Sequence, residues 1–318
     1  MSTPAPADAP ASPIIAPLND AAARSPRKPN DYGTPPGRFH FMIRRLHSAT
    51  GLVFGGYIVV HLLVNATGLW PRDYQMNVDH IHSLEPMLWL VELLTIFIPL
   101  LIHALYGIYI VKAGVKFNTT KYAYGGNIRY TLQRWTAVFL LAFIAFHIGT
   151  LHKWGLAGVH DLIMTTNPAD GGALHRFADW CAIWGGQFQP RNLAFQSTVG
   201  GLRHLFYDSN NPDAIGVGNA TVMAFYLLGI WSACFHLANG LWTSAIAWGL
   251  TITRTAQKRW GHVCLAIGIL VTIFGTTAWY AFTFAPAARG DVSRWDPVTH
   301  TLPDDGPVQV QPSGGAMP

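Results

Sequence analysis

Apolar residues run through the chain in five long stretches, roughly Ala49–Leu69, Pro86–Val111, Trp135–Leu151, Ala220–Leu250 and His262–Ala285. A helix needs about 20 such residues to cross about 30 Å of hydrocarbon. Four stretches meet that length, and the third is the shortest at 17 residues. Helices satisfy their own backbone groups where no water can. The pattern therefore predicts an all-α membrane protein with five transmembrane helices.

The periodicity fails at both ends. Residues 1–37 are rich in Pro and Ala, with nine prolines in the first 36 positions. The segment predicts a disordered cytoplasmic extension. It is not a secretory signal peptide, because no apolar core follows a basic start. Residues 286–318 form a second Pro/Gly-rich tail, and the membrane domain between the two tails is 38–285. Within it, an outer loop of about 67 residues, 153–219, separates the third and fourth spans. There Leu174, Phe177, Cys181 and Trp184 fall at helical spacing, which predicts a short amphipathic helix, either lying on the outer membrane surface or packed on the tops of the spans.

Charge gives the orientation. Cytoplasmic loops collect Lys and Arg. Arg24, Arg27, Lys28, Arg38, Arg44 and Arg45 precede the first span. Lys112, Lys116, Lys121, Arg129 and Arg134 lie between the second and third, and Arg254, Lys258 and Arg259 between the fourth and fifth. The connection between the first and second spans has only Arg72. The N-terminus is thus expected inside and the C-terminus outside, in a multi-pass chain of the bacterial cytoplasmic membrane.

Composition agrees. Of 318 residues half are hydrophobic and 12% charged, against about 25% charged in a soluble domain. The net charge of +5 marks one side of a membrane. Its residues form no single face for nucleic acid. Cys181, Cys234 and Cys264 form no CxxC pair, and no CxxCH haem-attachment site occurs.

The chemistry lies in four of the 14 histidines. His61, His103, His147 and His236 fall one in each of the first four spans, where an ionisable group is costly and marks function. His61 is 16 residues from Arg45 and His147 is 13 from Arg134, about 24 and 20 Å above the inner surface. His103 lies nine residues before Lys112, about 13 Å from that surface. His236 is 17 residues after Asn219, as His103 is 17 after Pro86. The depths give an outer pair, His61/His147, and an inner pair, His103/His236.

A weak internal repeat gives the same pairing. Thr50-Gly51 and Thr136-Ala137 each begin eleven residues before an outer histidine, and Gly107 and Gly240 each follow an inner one by four. Glycine one turn from a ligand admits a flat group close to the helix. Two imidazoles facing each other in an apolar bundle suit a six-coordinate haem iron, which favours electron transfer over oxygen chemistry. Zinc wants four ligands, and a proton relay would bring carboxylates at several levels, whereas only Glu92 lies well inside a span. Two b-type haems, stacked across the membrane, are the expected cofactors.

The strings around these positions, RRLHSATGLVFGGYIVVH, LLIHALYGIYI, LQRWTAVFLLAFIAFH and FHLANGLW, resemble the dihaem cytochrome b membrane-anchor subunit of succinate dehydrogenases and quinol:fumarate reductases, in the class with five spans and a single anchor. The resemblance covers roughly residues 40–152 and 220–285, in the family's order. It implies a flavoprotein (FAD) subunit and an iron–sulfur subunit bound at the cytoplasmic face, with dicarboxylate chemistry on the flavoprotein. Electrons would pass between the iron–sulfur subunit and a membrane quinone, menaquinone from the family class. It also implies that the segment holding Arg45, His47 and Ser48 approaches the propionates of the inner haem, which a guanidinium suits bidentately.

Glu92 lies eleven residues before His103, three turns up nearly the same face. It is the candidate for proton transfer at an outer quinone site. Pro99 should kink the second span. Two other classes are weighed: the cytochrome b subunit of a formate dehydrogenase or hydrogenase, and a His-lined transporter. The LHSATG and FHLANGLW strings count against the first, and the lack of a continuous polar path counts against the second.

Overall fold

A computed structural model describes residues 38–113, 125–152, 155–166, 172–184, 194–195, 198–199 and 217–285. Both tails and much of the outer loop 153–219 lie outside these. Every described element is helical. Five helices are long and apolar enough to cross a membrane: Phe41–Leu69, Leu88–Lys112, Gly125–Leu151, Ala220–Ala247 and Arg254–Thr283. Three begin well before the apolar stretches that announce them. The third helix is 27 residues long, because its first three turns carry Asn127, Arg129, Gln133 and Arg134, polar residues that break an apolar run without breaking a helix. Large side chains such as Leu94, Leu105, Ile269 and Ile273 stay exposed, as lipid-facing positions do.

The second span is interrupted. Helix Leu88–Glu92 passes through a π-helical turn, Leu93–Phe97, into helix Ile98–Ala113. Pro99 offers no N–H to the preceding turn and its ring crowds it. The irregularity expected there takes the form of a π turn just upstream, a feature frequent at functional sites.

Between the first two spans, where the apolar pattern shows only a short connection, lies helix Pro71–His82, with proline at its first position. Tyr74 and Val78, one turn apart, pack into a buried cluster with Leu140, Phe143, Phe195, Met223, Tyr226 and Phe282. Gln75 is fully buried beside them. Its Oε1 accepts from the Ala194 N–H at 2.8 Å, and its Nε2 donates to Asp79 Oδ1 at 2.8 Å. The Tyr74 hydroxyl meets Thr198 Oγ1 at 3.1 Å, and burial pushes this phenol up to about 12. These bonds tie the described part of the outer loop to the tops of the spans. Gln75→Leu, of similar size, would remove both of these buried hydrogen bonds, so it is expected to cost about 1–3 kcal/mol. Thermal unfolding in detergent, read against wild type, checks this.

Helices Leu156–Thr166 and Ala173–Trp184 follow the third span. Ala178, Cys181 and Ile163 are buried, while Leu174, Phe177 and Trp180 are exposed. The amphipathic helix is present, but Cys181 faces inward and Trp180 joins the exposed stripe. All three cysteines are buried and form no disulfide.

The fourth and fifth spans turn at Gly249, whose φ of 75° suits glycine. They pack closely, with Leu62 of the first span against Cys234 and Val271. The five spans enclose a cavity of about 1800 Å³.

Candidate functional site

The cavity is lined by side chains from every span, including all four intramembrane histidines. The His61 and His147 rings have centroids 6.0 Å apart at 83°. Those of His103 and His236 lie 6.1 Å apart at 86°. Among the described residues no group of three or more His, Cys, Asp or Glu is placed to hold a metal ion. The four intramembrane histidines face one another in twos, and the His47 ring adjoins the inner pair.

The remaining ring nitrogens are mostly engaged. His103 Nδ1 donates to the His47 carbonyl at 3.0 Å. His236 Nδ1 lies 3.3 Å from Thr136 Oγ1, whose proton goes to the Leu132 carbonyl at 2.8 Å, so the oxygen accepts from the imidazole. His61 Nδ1 faces the Tyr57 hydroxyl at 3.3 Å, with Asn65 Nδ2 at 3.4 Å. His147 Nδ1 is buried without a hydrogen-bond partner. A metal-bound histidine characteristically donates its second N–H to an oxygen. In three of the four that oxygen is in place at Nδ1, which leaves Nε2 for a ligand. With a metal–imidazole bond of about 2 Å, two imidazoles on one iron stand about 4 Å apart nitrogen to nitrogen and about 6 Å apart at their centroids. Both pairs fit that spacing.

The internal repeat extends to the bonding. Thr50 and Thr136 both turn their hydroxyls to carbonyls three and four residues back. Fourteen residues before the outer histidines stand His47 and Gln133, which flank the inner pair from opposite sides. His47 stacks on His103 at 4.0 Å and 11°. Gln133 donates to the His236 carbonyl at 3.1 Å and accepts from Asn239 at 2.8 Å. Gly51 touches the His103 ring so closely that a Cβ there would stand 2.5 Å from Cε1. Above Gly107 and Gly240 the nearest protein atoms are 3.7 and 3.8 Å from a Cβ position, and both glycines line the cavity.

The other candidate residues divide. Ser48 lines the cavity and bonds Ser244 at 2.9 Å, accepting from Trp248 Nε1 at 3.0 Å. Arg45 turns to Trp248, its guanidinium carbon 4.9 Å from the ring centroid. Its neighbour Arg44 lines the cavity, with Lys112, Arg129 and Arg134. Sequence reasoning passed over these four as marks of the cytoplasmic side, and over Tyr57, Asn65, Gln133 and Asn239, whose polarity inside apolar spans was the available signal. At the opposite end Glu92 and Tyr57 both line the cavity. His82 and Glu85 flank that end, 3.3 Å apart.

No family model matches the chain, and no solved structure does. Among curated proteins, the succinate dehydrogenase cytochrome b558 subunit of Bacillus subtilis (strain 168) is 28% identical over 247 residues, a match that takes in 77% of this chain and 98% of the relative. Near-complete coverage of that relative, together with five apolar helices and histidines paired within them, makes the chain similar to a succinate dehydrogenase cytochrome b subunit.

Proposed function

We propose that this chain is the membrane anchor of a succinate:quinone oxidoreductase and passes electrons between an iron–sulfur partner and membrane quinone through two b-type haems. The observation that carries the reading is the pair of histidine pairs, spaced 6.0 and 6.1 Å within one cavity. His61 and His147 would hold the outer haem, and His103 and His236 the inner one. Bound between two imidazoles, such a group supplies one-electron transfer and no open coordination site. The chain's own residues orient the ligands: the His47 carbonyl fixes His103, Thr136 fixes His236, and Tyr57 with Asn65 borders His61. Gly107 and Gly240 leave room for a flat group against the helices. His47 and Ser48, at the inner level, would border the edge on which carboxylates would lie, while Arg45 turns to Trp248.

The flavoprotein and iron–sulfur subunits would dock at the cytoplasmic face, on the side of the N-terminus and the basic loops, with the C-terminus outside. Quinone, menaquinone from the family class, would react near Glu92 at the outer end. Moving one charge across the membrane is worth about 2.3 kcal/mol per 100 mV, so a two-electron reaction spanning it would be coupled to the membrane potential by about 5 kcal/mol per 100 mV. The test is to isolate the complex from native membrane. Two non-covalent b haems per chain, copurifying flavin and iron–sulfur polypeptides, and succinate-dependent quinone reduction are expected. A colourless chain without those partners would favour a His-lined transporter.

Glu92 is proposed to exchange protons with quinone. Quinone takes up two electrons and two protons to become quinol, and a half-buried carboxyl lining the cavity can deliver the protons. Glu92→Gln should lower quinone turnover by about 10²-fold while both haem spectra and dye-linked succinate oxidation on the partner chains stay at wild-type level. Unchanged quinone turnover would remove Glu92 from the reaction.

A further inference from the structure

Four cations, Arg44, Lys112, Arg129 and Arg134, line one end of the cavity. The acidic residues that line it, Glu85 and Glu92, belong to the other end. Arg44 and Arg134 come from different spans and both line it. Arg129 is occupied by the Trp242 ring, 4.1 Å from its centroid. Arg134 is held by its own helix, with its guanidinium carbon 3.5 Å from the Tyr130 ring centroid. Its Nε is sealed from solvent and has no hydrogen-bond partner. Guanidinium groups at one end of the cavity with no carboxylate lining that end, one of them with a buried donor left open, describe a site whose anion comes from outside the chain.

Position says which anion. Arg44 lies one turn before His47, which stacks on His103. Arg134 follows Gln133, which donates to the His236 carbonyl. One arginine therefore stands beside each member of the inner pair. We propose that Arg44 and Arg134 bind the two carboxylates on the edge of the flat group held between His103 and His236. Arg45, directed at Trp248, does not share that role.

This rests on the haem assignment above. The anion's charge lowers the potential of the group it belongs to, and a neighbouring cation offsets that, so removing the cation should make the inner haem harder to reduce. The complex, once shown to hold two haems, is titrated electrochemically as wild type, R44Q, R134Q, R44Q/R134Q and R45Q, in phosphatidylcholine and in phosphatidylglycerol-containing vesicles. The haem that is lost in His103→Ala is expected to fall in midpoint potential by about 59 mV in each single variant, a tenfold change in its reduced:oxidised ratio. The double variant should fall further, and the other haem and R45Q should stay within a small fraction of that shift. R44K should retain most of the wild-type value. Equal shifts in both haems, an R45Q shift as large as that of R44Q, or no shift at all would overturn the assignment. A shift seen only with phosphatidylglycerol present would give the site to lipid headgroups instead. Wild-type complex without haem would sink the haem reading itself, a separate result.

Discussion

His61→Ala and His103→Ala are each expected to halve the haem content of the purified complex, and to remove different haems. With one of its two imidazoles removed, a haem at that level would be held by a single ring in a loosened pocket. The cavity that encloses it has lost the ring on which the opposing histidine was aligned, 6.0 Å away for the outer pair and 6.1 Å for the inner. The two pairs sit on separate layers of bonding. The inner one leans on His47, Thr136 and Gln133, and the outer one on Tyr57 and Asn65. Loss at one level should therefore leave the other ligated. Reduced-minus-oxidised spectra of the two variants should then sum to the wild-type spectrum, with haem per chain falling from two to about one in each. If both substitutions removed the same spectral component, the two-level arrangement would be wrong. If neither changed the spectrum, these histidines would not be ligands.

What the sequence allowed and what it hid follow from the geometry of helices. A rise of about 1.5 Å per residue is fixed, so counting from Arg45, Arg134 and Lys112 was enough to sort four histidines by depth. The rings meet in those pairs. Rotation about a helix axis is not fixed by counting. Arg44 and Arg45 are adjacent in sequence but differ by about 100° around the helix, and only the packed bundle shows that the first meets the cavity and the second meets Trp248. Helix Pro71–His82 escaped notice because Tyr74, Gln75 and Val78 are too few and too mixed to read as an apolar run, although Pro71 and Asp73 at its start were legible capping signals. The π turn at Leu93–Phe97 arises from the demand that Pro99 makes on the residues before it, and no local pattern distinguishes that from a simple kink. Gly51 was visible as one half of a repeat with Ala137. Its contact is with another span, which the repeat does not encode.

Gly51→Ala is expected to eject or displace the inner haem without unfolding the chain. The added Cβ would stand 2.5 Å from His103 Cε1 and 2.6 Å from Nδ1, so the ring must yield by roughly 1 Å to regain ordinary contact. It has little freedom to do so. Nδ1 is held by the His47 carbonyl at 3.0 Å, and the His47 ring covers its face at 4.0 Å. A ring that swings to escape the methyl gives up the hydrogen bond that presents Nε2 toward His236. In an isolated helix the same change would be favourable by about 0.5–1 kcal/mol, because alanine loses less backbone freedom than glycine. Gly56→Ala supplies the control: it lies in the same helix with nothing within 4 Å of its Cβ position, and should gain helix stability with both haems intact. Haem spectra and thermal unfolding measured on the two variants separate the effects. Gly51→Ala should lose or strongly shift the component that His103→Ala removes, while the outer component persists and the chain still unfolds cooperatively. Two unshifted haems in Gly51→Ala would mean that the first span does not press on His103 as closely as 2.5 Å requires, and the inner site would need a different approach of the two helices.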